Sequence, residues 1–297
     1  MQRMKTIEVK CVWRDESIVG ESPVWSRDEQ VLYWVDIRRG RVQKFDPKTS
    51  SNEYVEIDDI VTSVNLKASN GLVLTLGKEF ASLDRWGGKV TRLGNPEPEQ
   101  TDNRFNDAKC DRLGRLWAGT MGEHNWMAPT GSLYSFEGPG RVKRCQSEVI
   151  CSNGTAWSPD NRTMYYTESF RYAVYAYDFD LASGEISNRR VFLQLDPSGG
   201  EFPDGLTVDS EGFVWSAHVG KGRIVRYDPD GKVDMEIQLP VTRGTSCAFG
   251  GENLDMLFIT SARETLTPEL IEKEPLAGSL FACTPGVTGI METPFAF

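Results

Sequence analysis

Six oxygen-bearing side chains recur at the same position of a repeat in this 297-residue sequence. Each precedes an apolar-aromatic segment by 10 or 11 positions: Glu21, Thr62, Asn106, Asn153, Asp204 and Ser246. Carboxylates and carboxamides brought to one point would repel one another and be costly to desolvate unless a cation neutralised them. Divalent cations take oxygen ligands of this kind. The spacing therefore predicts a metal site with Glu21, Asn153 and Asp204 as leading ligands, and with Asn106 beside them in contact with a metal-bound water or the substrate.

A local explanation of the same residues stays open at this point. Asn153 and Asp204 each precede a glycine, and Asn and Asp side chains commonly cap their own turns. In that case each polar group would serve its own turn, and no shared site would form.

The elements that must position these residues are short strands. The first residues of the apolar-aromatic segments are separated by 40, 44, 48, 50 and 43 positions: Leu32-Tyr-Trp-Val-Asp36, Leu72-Val-Leu-Thr-Leu76, Leu116-Trp-Ala-Gly-Thr120, Met164-Tyr-Tyr-Thr-Glu168, Val214-Trp-Ser-Ala-His218 and Leu257-Phe-Ile-Thr-Ser261. A second strand follows most of them, as in Gly131-Ser-Leu-Tyr-Ser-Phe136 and Gly222-Arg-Ile-Val-Arg-Tyr227. Val, Ile and aromatic residues between turn pairs are typical of antiparallel strands.

Six repeats of about 45 residues, each worth about four strands, predict an all-β, six-bladed β-propeller with a central channel and a metal site at one end. We expect residues 1–297 to form this single domain, with the apolar-aromatic segments as the innermost strands and the polar residues on the loops before them. A β-sandwich or a two-domain all-β protein is the alternative. One helical turn is expected, after Thr267 as its cap and Pro268 at its first position.

Composition narrows the kind of protein and its compartment. The sequence has 33 Lys and Arg against 43 Asp and Glu, which disfavours a nonspecific nucleic-acid binder because such proteins need a basic surface. Its 39% hydrophobic and 26% charged residues are typical of a soluble globular protein. No segment reaches the length of a membrane helix, and residues 1–8 lack the apolar part of a secretory signal. The six cysteines form no Cys-x-x-Cys pair, which favours buried thiols in a reducing compartment. We therefore expect a cytoplasmic protein without membrane or nucleic-acid partners.

Other catalytic arrangements are weakly supported. The sequence has no Gly-x-Ser-x-Gly elbow, no His-Glu-x-x-His pair and no phosphate-binding Walker loop. Its only histidines are His124 and His218, so a histidine-centred triad is not expected. His218 ends a predicted strand and is expected to be a buried, hydrogen-bonded residue; the alternative is a channel-facing group near the metal.

The motifs, taken together, resemble those of the family that contains regucalcin (senescence marker protein 30), gluconolactonases and luciferin-regenerating enzyme. The resemblance covers nearly the whole chain and rests on segments such as Gly20-Glu-Ser-Pro-Val-Trp25, Asn103-Arg-Phe-Asn-Asp-Ala-Lys109, Ser152-Asn-Gly-Thr-Ala-Trp157, Phe202-Pro-Asp-Gly205 and Cys247-Ala-Phe-Gly-Gly251. Within the family, Trp34-Val-Asp-Ile-Arg-Arg-Gly40 and Asn188-Arg-Arg-Val-Phe192 look more like bacterial aldonolactonases than animal regucalcins.

The resemblance implies a six-bladed propeller that hydrolyses sugar lactones with one divalent cation. Carried over residue by residue, Glu21, Asn153 and Asp204 would bind the metal, and Asp204 would also be the catalytic base. Arg104 and Asn106 would hold the lactone. Family members are described with calcium, zinc, manganese, magnesium or iron, so the resemblance does not name the ion.

The remaining substrate contacts have open alternatives. Glu123 or His124 would touch substrate hydroxyls, in a segment where the family varies, and we take Glu123 as the predicted contact. Arg104 presents several donors in a fixed plane, which suits a substrate oxygen, but an ion pair with Asp102 or Asp107 would also explain it. Trp126 and Trp13 would either cover the sugar face or be packed loop aromatics.

The predicted chemistry is ester hydrolysis. A divalent cation polarises a carbonyl and stabilises the oxyanion, and Asp204 is the hypothesised acceptor of the water proton. We expect a monomer that acts on a small-molecule sugar lactone. Two rival functions remain: phosphotriester or aryl-ester hydrolysis at the same metal, and a non-catalytic calcium-binding protein.

Overall fold

The computed structural model describes residues 7–297, so most of the N-terminal segment on which the compartment was predicted lies outside the described residues. No helix in residues 7–297 is long and apolar enough to cross a membrane. The strands form six antiparallel sheets of four strands each, arranged as the blades of a β-propeller, which confirms the predicted fold class. All six cysteines are free thiols.

The strands follow one another around the ring, and each blade is a simple antiparallel meander. The chain begins with β1 (Lys10–Trp13) and continues into blade one, β2 (Gly20–Ser26), β3 (Val31–Asp36), β4 (Arg41–Asp46) and β5 (Ser51–Glu56). Blade two is β6 (Val61–Leu66), β7 (Leu72–Leu76), β8 (Phe80–Leu83) and β9 (Val90–Gly94), and blade three is β10 (Asn103–Cys110), β11 (Leu116–Gly122), β12 (Gly131–Phe136) and β13 (Val142–Val149). Blade four is β14 (Ser152–Trp157), β15 (Thr163–Glu168), β16 (Ala173–Asp180) and β17 (Glu185–Gln194). Blade five is β18 (Phe202–Val208), β19 (Val214–Val219), β20 (Arg223–Tyr227) and β21 (Val233–Gln238). Blade six contains β22 (Gly244–Gly250), β23 (Met256–Ser261) and β24 (Leu280–Cys283), and β1 is its fourth strand.

Helical structure is confined to short segments among the described residues. The single α-helix, α1, spans Pro268–Lys273, and Thr267 caps it by accepting a hydrogen bond from the Leu270 amide. This confirms the predicted helical turn. Two 3-10 turns, Ser169–Arg171 and Pro197–Gly199, follow β15 and β17.

The first strand of each blade, and not the apolar-aromatic segment, lies innermost. Strands β2, β6, β10, β14, β18 and β22 contact one another in a ring, whereas the apolar-aromatic segments form the second strands. The prediction that the repeated polar residues lie on loops was therefore wrong, because all six belong to the innermost strands themselves. A side chain on a strand is positioned more rigidly than one on a loop.

The burial of the strands explains the sequence pattern. Each residue of β3 is buried, as are all residues of β7, β11 and β19, because a blade packs between two neighbours and its inner strands meet apolar side chains on both faces. The outermost strands, such as β5, alternate between exposed and partly buried residues. The continuous apolar runs that marked the repeat are thus second strands buried on two sides.

The ring is closed by pairing β1, the first strand of the described residues, with β24, the last strand. β1 pairs with β24 in antiparallel register, with Lys10 opposite Ala282 and Cys11 opposite Phe281. Blade six is thereby completed by a strand from before blade one, which ties the first blade to the last.

The segment after β24 crosses the end of the channel toward which the innermost strands run. The amide of Ser210 donates to the carbonyl of Thr288 at 2.9 Å, and the amide of Phe295 donates to the carbonyl of Leu66 at 2.8 Å. Phe295 is buried and stacks on Phe136 with ring centroids 5.5 Å apart. This segment covers one end of the channel, so a ligand would enter at the other end, where the innermost strands begin.

Candidate active site

A cavity of about 230 Å³ lies at the end of the channel where the innermost strands begin. Glu21, Asn106, Asn153 and Asp204 all line it. The structure therefore brings together four of the six repeated polar residues. The other two lie elsewhere: Thr62 exchanges a 2.7 Å hydrogen bond with Thr75, and Ser246 lines a smaller cavity in the channel.

A β-bulge stands at each of the four cavity residues. The pairing register shifts between Glu21 and Val24 in β2, and at the equivalent places in β10, β14 and β18. A bulge places an extra residue on one strand and changes the direction of its side chains, and bulges are frequent next to active sites. The repeated bulge explains how residues of continuous strands come to face one cavity.

The glycines after Asn153 and Asp204 are required by the neighbouring blade and not by a turn. A Cβ on Gly154 would lie 2.5 Å from the Leu206 amide nitrogen, and one on Gly205 would lie 2.1 Å from Ser246 Oγ. Both asparagine and aspartate lie within strands. The turn-capping alternative is therefore wrong, and the Asn-Gly and Asp-Gly pairs instead let adjacent innermost strands approach closely.

Glu21 and Asp204 are buried carboxylates with little compensation from the protein. Their exposed fractions are 6% and 8%, and neither forms an ion pair with any of residues 7–297. Burial raises the pKa of Glu21 well above its ordinary value, and the nearby carboxylates of Asp204 and Asp107 raise it further. Burial also raises the pKa of Asp204, again assisted by Asp107. Arg243 on the same wall opposes the rise in the pKa of Asp204 without forming an ion pair with it. Ionised, the two carboxylates therefore outnumber the one cavity arginine that is not already paired within residues 7–297, and a bound cation would balance them.

A hydrogen-bond chain connects the amide groups to Arg104. Asn153 Nδ2 donates to Ser169 Oγ at 2.8 Å, which fixes the orientation of its amide group. Asn106 Nδ2 donates to Asn153 Oδ1 at 3.1 Å and to the Ser152 carbonyl at 2.7 Å, and Asn106 Oδ1 accepts from Arg104 Nη1 at 2.8 Å. Both the nitrogen and the oxygen of the Asn106 amide group thus have hydrogen-bond partners, and Asn106 links Arg104 to Asn153.

Glu123 holds two arginines in place and does not line the cavity. It forms ion pairs with Arg104 Nε and with Arg38 Nη1. Neither of the predicted salt-bridge alternatives for Arg104 is found: Asp102 instead pairs with His124 at 2.6 Å. The His124 side chain is 86% exposed, so it stands in solvent outside the cavity.

Sequence reasoning missed several cavity residues. Arg38 and Arg243 line the wall, as do the rings of Phe170 and Phe202. Trp126, which was named, is there as well and stacks on Phe170 with centroids 6.4 Å apart. Arg38 and Phe170 each lie two residues after a second strand, β3 and β15, so counting forward from the second strands would have found these two.

The two other residues with open alternatives lie away from the cavity. Trp13 packs beside the apolar cluster formed around Trp25, Trp34 and Phe258. His218 is fully buried, contacts Glu201 through Nδ1 at 3.0 Å, and contacts Tyr227 Oη through Nε2 at 3.1 Å. This confirms the expected buried, hydrogen-bonded histidine.

The ligand set depends on an amide oxygen. Within residues 7–297 no three Asp, Glu, His or Cys side chains gather closely enough to bind a metal by themselves. A cation in the cavity would therefore need an amide oxygen such as Asn153 Oδ1 beside the two carboxylates, and the predicted ligand set stays a prediction.

Comparisons with known proteins identify the family. The sequence model of the family described as "SMP-30/Gluconolactonase/LRE-like region" matches residues 19–263. Regucalcin of the rabbit, Oryctolagus cuniculus, is 38% identical over 299 residues, covering 99% of this chain and 100% of its own. The solved structure of a luciferin-regenerating enzyme is 31% identical, with a TM-score of 0.91 and coverage of 98% and 100%. The structure described as a calcium-binding protein, regucalcin, from Agrobacterium tumefaciens has a TM-score of 0.93 at 24% identity and covers 98% of each chain, which is a likeness of fold.

Proposed function

We propose that this chain, which belongs to the SMP-30/gluconolactonase/LRE-like family, hydrolyses a small sugar lactone to the sugar acid with one divalent cation. One observation carries the proposal. Glu21 and Asp204, two buried carboxylates without an ion-pair partner in residues 7–297, line the same cavity as Asn153 and Arg104.

The residues fit a divalent cation. Two adjacent carboxylates carry the charge that such an ion neutralises, and the Asn153 amide is fixed by Ser169, while its oxygen accepts one hydrogen bond, from Asn106, and keeps a second lone pair for a cation. All three donors are hard oxygens, which suits calcium, magnesium or manganese and is also compatible with zinc or iron. Glu21, Asn153 and Asp204 would hold the ion, which when bound would polarise the lactone carbonyl and stabilise the oxyanion.

The protein's own side chains account for the remaining steps. Water adds its oxygen to the lactone carbonyl carbon and passes a proton to the Asp204 carboxylate. The bond between that carbon and the ring oxygen then breaks, the ring oxygen takes up a proton, and a hydroxy acid leaves. Arg104 Nη2 has no partner among residues 7–297, while Nη1 and Nε are occupied, so it can donate to a substrate oxygen in a fixed orientation.

The size and lining of the cavity support a small polar substrate. Its volume of about 230 Å³ lies just below the range of roughly 300–1,000 Å³ found for drug-sized ligands. Arginines and carboxylates form one part of the wall, and Trp126, Phe170 and Phe202 form an aromatic part. A sugar ring offers hydroxyls for the first and an apolar face for the second. We propose a sugar-acid lactone, of which the aldonolactones are the simplest members, and a monomeric enzyme.

A proton-release assay over pentono- and hexonolactones tests the proposal. Chelated protein should be inactive, and addition of one divalent ion at a time should restore turnover for at least one lactone. Glu21→Gln should lose that restoration. Absence of hydrolysis for every lactone and every ion would reject the lactonase function.

A non-catalytic calcium-binding function is the second candidate. It draws on the Agrobacterium protein, which is described as a calcium-binding regucalcin. The open cavity beside the carboxylates favours the enzyme, since a purely structural ion needs no space for a further ligand. Calcium binding without lactone hydrolysis in the assay above would favour the second candidate.

A further inference from the structure

Arg243 is a cation on the cavity wall for which the described protein supplies no partner. Its side chain is partly buried and lines the cavity, and it forms no ion pair or side-chain hydrogen bond with residues 7–297. Burial lowers the pKa of Arg243, as expected when a charged group leaves water without a counter-ion. An unpaired, partly desolvated guanidinium is costly unless a ligand compensates it.

The carboxylates near Arg243 are committed elsewhere. Glu264, also on the wall, pairs with Arg38 Nε at 2.7 Å. Glu274 accepts from the amide of Thr242 at 2.7 Å and from its hydroxyl at 3.0 Å. Asp204 belongs to the proposed metal ligands.

The other two cavity arginines differ from Arg243 in this respect. Arg38 is shared between Glu123 and Glu264, and Arg104 is paired with Glu123. The charges of Arg38 and Arg104 are therefore neutralised by those of Glu123 and Glu264. Of the three cavity arginines, Arg243 is the one that has no ion-pair partner among residues 7–297.

Arg243 stands across the cavity from Arg104. It directly precedes β22 of blade six, whereas Arg104 lies on β10 of blade three, the opposite blade of the ring. Glu21, Asn153 and Asp204 come from blades one, four and five between them. A ligand whose carbonyl lies near these three residues can therefore reach Arg243 with a substituent outside the ring.

We propose that Arg243 is a specificity-determining residue that binds a carboxylate of the substrate, so that the preferred substrate is the monolactone of a sugar diacid. This inference rests on the proposed lactonase function. A hydroxyl would satisfy one donor and leave the charge unpaired, whereas a carboxylate matches the planar guanidinium with two parallel hydrogen bonds.

Matched lactones that differ only at carbon six provide the test. Glucaro-1,4-lactone carries a carboxylate there, and glucono-1,4-lactone carries a hydroxymethyl group. For the wild-type protein we expect kcat/KM at least tenfold higher for the glucarolactone, expressed mainly in KM. Arg243→Gln should lower kcat/KM for the glucarolactone by about 10- to 100-fold, the range for a hydrogen bond to a charged group, and change the gluconolactone less than about threefold.

Two further variants serve as controls. Arg27→Gln removes the same charge in the exposed turn at the far end of β2 and should change neither lactone. Arg243→Lys keeps the charge without the planar fork and should retain part of the preference. A 6-phosphogluconolactone tests whether the substrate carries a phosphate group in place of the carboxylate. A preference for it over the glucarolactone would overturn the assignment to a diacid.

The outcomes separate this inference from the proposed function. Equal losses on both lactones in Arg243→Gln, or a wild-type preference for the neutral lactone, would overturn the inference and leave lactone hydrolysis standing. If no lactone is hydrolysed, calorimetric binding of tetrahydrofuran-2-carboxylate and tetrahydrofurfuryl alcohol decides it. Tighter binding of the acid that disappears in Arg243→Gln would support the inference, and equal binding of the two would overturn it.

Discussion

Asp204 and Asp209 of blade five are five residues apart and both buried, yet their surroundings are opposite. Asp209 accepts hydrogen bonds from the amides of Glu211 and Phe213 and from the indole of Trp215, and it pairs with Arg226 at 2.8 Å. Asp204 has no ion pair within residues 7–297, and its pKa is raised by burial and by Asp107. Both carboxylates are thus buried, but Asp209 has several partners in the protein and Asp204 has no ion pair in the described part of the chain.

Blade three repeats the compensated arrangement. Asp111 is fully buried and accepts from the amides of Leu113 and Arg115, from Arg115 Nε at 2.7 Å and from the indole of Trp117 at 3.0 Å. Such aspartates stabilise the turn before a second strand. The contrast indicates that a buried carboxylate without hydrogen-bond or ion-pair partners is a candidate for ligand binding, whereas burial alone does not identify one.

The largest expected effect comes from Asp204→Asn. If Asp204 is both a metal ligand and the proton acceptor, kcat/KM for the preferred lactone should fall by about 10³-fold or more, together with metal affinity. Because the folded-state pKa of Asp204 is raised, its ionisation destabilises the metal-free fold as pH rises, and the variant should be as stable as wild type or more stable at pH 7. Turnover assays, metal titration and denaturant unfolding measure these effects. Undiminished hydrolysis would eliminate this role.

Asp209→Ala should show the opposite result. Removing the carboxylate leaves the Trp215 indole and two amides without their acceptor, and Arg226 keeps only Glu211 and Asp234, so the free energy of unfolding should fall by about 3–5 kcal/mol. Turnover per folded molecule should stay within about twofold of wild type, since Asp209 lies outside the cavity. Urea unfolding and a rate normalised to folded protein check both parts. A stable variant with lost activity would contradict the comparison.

Metal addition should distinguish the same two variants. A divalent ion that binds only the folded state should stabilise wild type by about 2.7 kcal/mol at a concentration 100 times its Kd. Asp209→Ala should gain the same increment, and Asp204→Asn little or none. Thermal or denaturant unfolding with and without the ion gives the increment. An equal gain in all three proteins would locate the ion elsewhere.

The smallest expected effect concerns His218, in the same blade. Burial lowers its pKa despite the hydrogen bond to Glu201, and each pKa unit between folded and unfolded states is worth about 1.4 kcal/mol. A lowered histidine pKa means that the unfolded chain binds the proton first, so this part of the stability is present above about pH 6.5 and is lost as pH falls below it. His218→Gln should flatten the stability profile between about pH 5 and 7. An unchanged profile would contradict this assignment.

The sequence contains enough information for the repeat and for the polar residues that line the cavity, but not for the layers of the blade. Equal spacing brought Glu21, Asn153 and Asp204 together because every blade repeats the same strand order. The innermost strand was misassigned because the longest apolar runs belong to strands buried on both faces, whereas β14 and β18 carry polar residues toward the channel. Arg243 was not identified, since its significance lies in the absence of a partner, which depends on where Glu264 and Glu274 find theirs.

The pairing of β1 with β24 has a consequence for how the protein is made. The ribosome synthesises Lys10 some 270 residues before its partner Ala282. Blades one to five therefore emerge while the ring is still open. Thr245, which lines the cavity and donates a hydrogen bond to the Gly20 carbonyl, is synthesised 225 residues after Gly20. The pocket is therefore completed only after the residues of blade six have been synthesised, and until then the nascent chain has to protect the unpaired strand β1.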